Sequence, residues 1–361
     1  MKSKILAYYL PQFHPFPEND EWWGKGFTEW TNVGKAKPLF PGHKQPEVPG
    51  ELGYYDLRVP QVREDQARLA REAGVYGFCY WHYWFNGHQL MNDIIDEVLL
   101  TGKPDFPFCF GWANETWKCK QWNVDGFGDK ILIEQTYGGE KDYRAHFDYV
   151  KKFFKDKRYV CVDGKPLFQI YRPLDFPDIA NFISLWNKWI KEEGIAEGIY
   201  FVGNVIDEKD IEKTKSLGFD CLVITLNWRF TDRTLLSRFK FKVEKLLRLP
   251  LIVRYSDAIT RFWKEGIDSR EDVAPTILPR WDHSPRSGRK NVVLYNSTAE
   301  SFFKHACEVL TNVSKKENKL IFLKSWNEWA EGNFMEPDYY NKDKYIQALK
   351  RAIDLVEKDS K

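Results

Sequence analysis

Apolar residues along this chain fall into short runs, and amphipathic stretches separate them from end to end. Runs rich in β-branched and aromatic residues, bounded by Gly, Pro and Asp, predict strands near 4–10, 75–83, 107–112, 166–171, 199–204, 221–226, 274–280 and 320–326. Between them, apolar residues recur at helical spacing over 59–72, 91–100, 143–154, 178–193, 209–217 and 298–314, and 344–356 closes the chain. Gly74 follows the first of these as a fitting left-handed C-terminal residue.

This alternation argues for βα units around a parallel sheet, and eight strands is the number of a closed barrel. The expected fold is therefore α/β, a (β/α)8 TIM barrel with long βα loops. No linker, repeat or composition break divides the chain, so one domain over 1–361 is expected. A strand-like run at 251–255 competes with 274–280 for the seventh position. The latter is preferred because it sets Trp281 and Asp282 at a strand's C-terminal end, where such barrels build their sites. Two long polar connections, 11–57 and 114–140, are of the length that serves function.

The clusters at the strand ends carry the chemistry. Strand one exits through Tyr8-Tyr-Leu-Pro-Gln-Phe-His14 toward Glu29 and Trp30, and strand two ends on Trp81, His82 and Tyr83. Strand three leads into Trp112, Asn114, Glu115 and Trp117, strand four into Tyr171, and strand six into Trp228. Strand eight opens into Trp326, Asn327, Glu328, Trp329 and Glu331. Acids beside Trp suit carbohydrate: carboxylates move protons, and an indole face covers the C–H face of a pyranose. Glu328 and Glu331 are the candidate catalytic pair. A tight turn would bring their carboxyl groups together, and an extended backbone would separate them. Asn114 and Glu115 can hold a sugar hydroxyl or serve as a helix cap with a solvent carboxylate. Asp282 can contact substrate or form a turn, and His14 is a polar contact of the same kind.

Composition narrows the classes. Aromatic residues make up 16% of the chain, with 15 Trp and 18 Tyr, more than a core requires. A net charge of +2 leaves no bulk field for nucleic acid, although a local basic patch stays open. No apolar span suits a membrane helix, the N-terminal run is too short for a signal segment, and six cysteines form no CxxC pair. A cytoplasmic protein without membrane insertion is expected. Seven histidines show no metal-ligand spacing, and phosphate-cradling glycine loops and Asp-x-Asp pairs are absent. The expectation is no metal, no cofactor, and an oligosaccharide or polysaccharide substrate; the pattern sets no oligomeric state.

The segment SWNEWAEG resembles the catalytic signature of glycoside hydrolase family 99, the endo-α-mannosidase and endo-α-mannanase family, with Ala330 in place of that family's His and Trp326 in place of Phe. YYLPQFHP, GFTEWTNV, FCYWHYWF, WANETW and PRWDHSPR are similar to WbsX-type proteins, which are family-99-like and associated with O-antigen and capsular polysaccharide biosynthesis. The resemblance implies a retaining reaction on an α-mannoside-like sugar. In it one Glu activates the sugar's own 2-hydroxyl to form a 1,2-anhydro intermediate, and the other protonates the leaving oxygen. By position it implies Glu328 as base and Glu331 as acid. Hydrolysis or transglycosylation, glycosyl transfer in polysaccharide biosynthesis, and a non-catalytic carbohydrate-binding barrel all stay open.

Overall fold

The computed structural model describes residues 2–119, 130–231, 234–247, 249–289 and 291–359, with the side chains of 227 and 228 left out. Its main sheet runs β1 (Lys4–Tyr9), β2 (Gly77–Phe85), β3 (Phe108–Trp112), β4 (Lys165–Ile170), β5 (Tyr200–Val205), β6 (Cys221–Ile224), β7 (Val273–Ala274 and Thr276–Ile277) and β8 (Leu320–Leu323). Neighbouring strands are parallel all the way round, from Leu6 opposite Gly77 to Lys4 opposite Leu320, so the sheet nearly closes into the expected TIM barrel. These strands are short apolar runs because both faces are covered, one by the barrel interior and one by helices.

The seventh strand is split at Pro275. Val273–Ala274 pairs with β6, and Thr276–Ile277 pairs with β8. Proline has no N–H to give to a ladder. Its carbonyl still accepts from the Phe322 amide at 3.0 Å, which keeps the barrel joined on the β8 side. Leu251–Arg254 pairs instead with Val292–Tyr295 in a separate two-stranded sheet, so it belongs to the excursion after β6.

The crossover helices follow the apolar spacing: Pro60–Ala73, Asn92–Thr101, Glu140–Phe154, Ile179–Glu192, Ala299–Ser314 and Lys344–Asp359. The expected helix at 209–217 is shorter, Ile211–Lys215 after a 3-10 turn. The connection 11–57 is more ordered than a loop, with helices at Pro17–Trp23 and Glu29–Lys35. Of the connection 114–140, residues 120–129 lie outside the described residues; the rest pairs Trp117–Lys118 with Ile131–Ile133. The excursion also carries a helix at Leu235–Leu246, absent from the expectations above.

Gly74 ends the Pro60–Ala73 helix at φ 82°, and a Cβ there would stand 2.6 Å from Ile353 Cδ1 on the C-terminal helix. Backbone strain and overlap then add. Gly74→Ala should cost about 1–3 kcal/mol in urea unfolding, and Ile353→Val in the same chain should recover part of it.

Candidate active site

Past β8 the chain is pinned from below before it reaches the carboxylates. The Trp326 amide donates to the Tyr8 carbonyl at 2.8 Å. Asn327 then clasps the backbone of Leu10, accepting from its N–H at 2.7 Å and donating to its carbonyl at 3.0 Å. A side-chain amide thus prolongs the β1–β8 ladder by one step. Asn327–Glu328 next pairs antiparallel with Asn333–Phe334 around a 3-10 turn at Trp329–Glu331. Gly332 closes that turn at φ 55°, where a Cβ would meet Asp282 at 2.6 Å. The turn is therefore tight, and it sets Glu328 and Glu331 near enough for each carboxyl to act on the other's ionisation.

These two like groups differ in surroundings. Glu328 Oε1 accepts from Trp81 Nε1 at 2.8 Å, while its buried Oε2 meets no donor among the described residues. Burial and the neighbouring Glu331 charge push the Glu328 carboxyl up to about 7. Burial acts on Glu331 too, but the Arg286 guanidinium and His283 outweigh it and hold that carboxyl well below the usual range. Arg286 Nη1 bonds Glu331, His283 Nε2 stands 3.5 Å away, and Arg286 Nη2 reaches the fully buried Glu29 at 3.0 Å. The two carboxyls thus part in acidity, and the first proton the pair takes up as pH falls goes to Glu328.

Above the pair lies a cleft of about 480 Å³, of a size that takes a small ligand. Of the candidates, Trp81, Tyr83, Glu115, Trp117 and Tyr171 line it together with Glu328 and Glu331. Trp81 is backed by Tyr8, stacked at 4.8 Å and 3°, and flanked edge-on by Tyr171 at 5.4 Å. Burial raises the Glu115 carboxyl, with Arg172 acting against it.

The other candidates support the cleft or stand apart from it. Trp112, Trp326 and Trp329 are enclosed in the core, Trp30 packs on Trp329 at 5.4 Å, and Asn327 is the clasp. Glu29 is the second carboxyl partner of Arg286, and burial raises it against the pull of that guanidinium. Asn114 holds the Tyr137 hydroxyl and the backbone of Arg172. Buried His14 stands 3.4 Å from Asp93. Asp282 accepts from Gln45 and the Ser284 amide, pairs with His43 at 2.7 Å, and its own N–H donates to the Glu331 carbonyl at 2.8 Å. The side chain of Trp228 lies outside the described residues.

Arg286, His283, Lys324 and Trp281 also line the cleft, and sequence reasoning did not name them as site residues. Arg286 and His283 sit inside PRWDHSPR, a polar tip after β7. Their signal was an imidazole and a guanidinium close in sequence to Trp281 and the already named Asp282.

A parallel barrel with paired carboxylates and aromatic walls at its C-terminal mouth is a common frame for enzymes acting on small polar substrates. The chain belongs to the family described as Glycosyltransferase WbsX, which it matches over residues 5–349. It is 34% identical over 370 residues to an uncharacterized protein, WxcX, of Xanthomonas campestris pv. campestris, covering 99% of this chain and 51% of that one. The chain thus spans about half the length of the curated relatives it matches. In fold it is similar to a glycoside hydrolase-like protein, with TM-score 0.64, 15% identity and coverage of 98% of this chain and 94% of the other. It is also similar in fold to the GH99 endo-alpha-mannosidase from Bacteroides thetaiotaomicron, with TM-score 0.54, 16% identity and coverage of 98% and 97%.

The raised carboxyls set a pH dependence. Glu336, buried under the turn, is likewise pushed up to about 7 by burial against the donors Trp329, Gln66 and Tyr55. An unfolded chain releases such protons near pH 4.3, roughly the free glutamate value. From there to about 7 the folded protein holds protons that the unfolded chain has lost, so these groups reduce stability as pH rises through that window. Glu328→Gln should accordingly be more stable than wild type at about pH 8, by roughly 1–3 kcal/mol, and should lose that advantage toward about pH 4. Urea unfolding at the two pH values measures it.

Proposed function

We propose that this chain breaks or transfers a glycosidic bond with retention, using Glu328 and Glu331 as a one-proton acid/base couple. The observation that carries the reading is the pair itself: two carboxyl groups on one tight turn at the cleft, one raised and one held low, under aromatic walls. The tight 3-10 turn between them favours the close carboxyl spacing of a retaining pair over the wide spacing that inversion needs. The resemblance to family 99 and the likeness of fold to an endo-alpha-mannosidase support an α-mannoside-like glycan as substrate. The sugar's 2-hydroxyl then attacks its own anomeric carbon as one carboxylate takes its proton and the other carboxyl gives one to the leaving oxygen. Water or an acceptor hydroxyl afterwards opens the 1,2-anhydro ring.

The charge states of the free site favour Glu328 as the proton donor and Glu331 as the base, the reverse of the division the resemblance implies. A carboxylate bonded to Arg286 is a poor acid, and a carboxyl raised to about 7 is a good one.

Either substitution, Glu328→Gln or Glu331→Gln, should lower kcat by roughly 10²–10⁴-fold on an alkyl α-mannoside or mannan fragment. On a mannosyl fluoride, whose leaving group needs no proton, Glu328→Gln should regain most of its rate and Glu331→Gln should not. Rescue of Glu331→Gln instead would restore the division of roles that the resemblance implies.

The family's description as a glycosyltransferase keeps a second reading, transfer from an activated sugar donor. Incubation with nucleotide sugars and with mannosides separates the two. Nucleotide release without glycoside turnover would overturn the retaining hydrolase or transglycosylase.

A further inference from the structure

The Leu235–Leu246 helix breaks the rule that an amphipathic helix buries its apolar face. Leu235, Leu236, Phe239, Leu246 and the adjoining Leu247 are 84%, 79%, 66%, 83% and 61% exposed, and Val243 completes the stripe. At about 100° per residue these positions fall within an arc of roughly 120° on one face. Among the described residues of the helix only Glu244 is buried, and the helix adds no side chain to any apolar cluster of the core. It is held from its other side, where Lys240 Nζ donates to the Ile252 carbonyl at 2.7 Å.

Charge borders the stripe. Arg238, Lys242 and Lys245 are exposed along its Leu235 side, Lys240 on the other side is tied to Ile252, and the one acid of the helix, Glu244, is turned inward. A protein partner with an apolar groove would explain the leucines alone. Cations flanking an exposed apolar arc match the layered chemistry of a bilayer surface, with acyl chains below and anionic headgroups around. No helix among the described residues is long and apolar enough to cross a membrane, so this is a helix that would lie in the interface plane.

We propose that the Leu235–Leu246 helix docks the protein onto an anionic lipid surface, its apolar stripe entering the acyl boundary and Arg238, Lys242 and Lys245 meeting the headgroups. The helix stands beside the cleft. Asn291 and Val292 line both the cleft and a hollow of about 730 Å³ beneath the helix that Phe241 and Lys245 also line. Docking would therefore hold the cleft next to the lipid surface, whatever reaction the cleft performs.

Cosedimentation of the full chain with vesicles tests this. Wild type should bind vesicles of phosphatidylglycerol and phosphatidylcholine, bind pure phosphatidylcholine weakly, and release as salt is raised. The double variant Phe239→Glu/Leu246→Glu should bind roughly 10-fold less or worse, and Lys242→Glu/Lys245→Glu should lose the preference for the anionic lipid. All four positions are exposed, so thermal melts of both variants should match wild type; Phe239→Ser/Leu246→Ser replaces the first variant if its melt does not. Absence of binding to the anionic vesicles at low salt, or full binding by both variants, would overturn the proposal. So would a wild-type dimer in sedimentation velocity that Phe239→Glu/Leu246→Glu dissolves, which would assign the stripe to a second copy of this chain.

Discussion

Arg286 stands buried between two carboxylates, Glu29 and Glu331, and three separate pieces of the chain meet at its guanidinium. Glu29 comes from the helix after β1, Arg286 from the short helix Ser284–Ser287 after β7, and Glu331 from the turn after β8. Burial disfavours the charged form of both carboxyls, and the cation opposes it at each. With it, the Glu331 carboxyl is held low, while burial still raises that of Glu29 against the pull of Arg286. A third carboxyl, Glu328, ionises against its own burial and the Glu331 charge, which Lys324 and Arg286 only partly offset. The asymmetry between two chemically identical glutamates, which acid/base chemistry needs, follows from where one guanidinium lies, with His283 beside it.

That asymmetry is useful only if the turn holds its shape. Glu336 sits beneath it and accepts from Trp329 Nε1 at 2.6 Å, Gln66 Nε2 at 2.7 Å and the Tyr55 hydroxyl at 2.9 Å. Gln66 in turn accepts from the Tyr9 hydroxyl at 2.6 Å, which ties the network to β1 and the Pro60–Ala73 helix. The indole of Trp329 is stacked on Phe334 at 3.6 Å with Trp30 on another side. A linked buried network of this kind leaves the 327–331 backbone few ways to relax, and the carboxyl positions inherit that rigidity.

The strands and most crossover helices were legible because each is a run or a spacing of one chain segment. The split at Pro275 was not, since it depends on two neighbours pairing with different halves. The carboxylates were legible as acids among tryptophans; which tryptophans face them was not. Strand parity separates them in retrospect. Along β2, Cys79, Trp81 and Tyr83 face the barrel interior and its mouth, whereas His82 and Trp84 meet His146 and Asp142 on an outer helix. Along β3, Gly111 lies against Cys79, Gln169 and Trp81, so the next residue, Trp112, turns outward to pack against Phe182 and His146. In sequence an inward and an outward tryptophan look the same until the register is known. Arg286 was hidden for a different reason, since its partners are about 45 and 257 residues away and no local pattern announces them.

The barrel and the excursion between β6 and β8 therefore contribute different things. The barrel supplies the carboxylate pair and the Trp81, Tyr83 and Tyr171 wall. The excursion supplies Phe230, Trp281, His283 and Arg286, anchored by its own apolar cluster of Leu226, Phe230, Val253, Tyr255, Phe262, Leu278, Trp281 and Leu294. Asp282 joins the two, since its carboxylate takes His43 and Gln45 from the first connection while its N–H holds the Glu331 carbonyl. A barrel with the same β8 turn but another excursion would keep both glutamates and lose the charge that makes them differ. The chemistry of this site is thus set as much by the insertion that borders the cleft as by the strand that carries the acids.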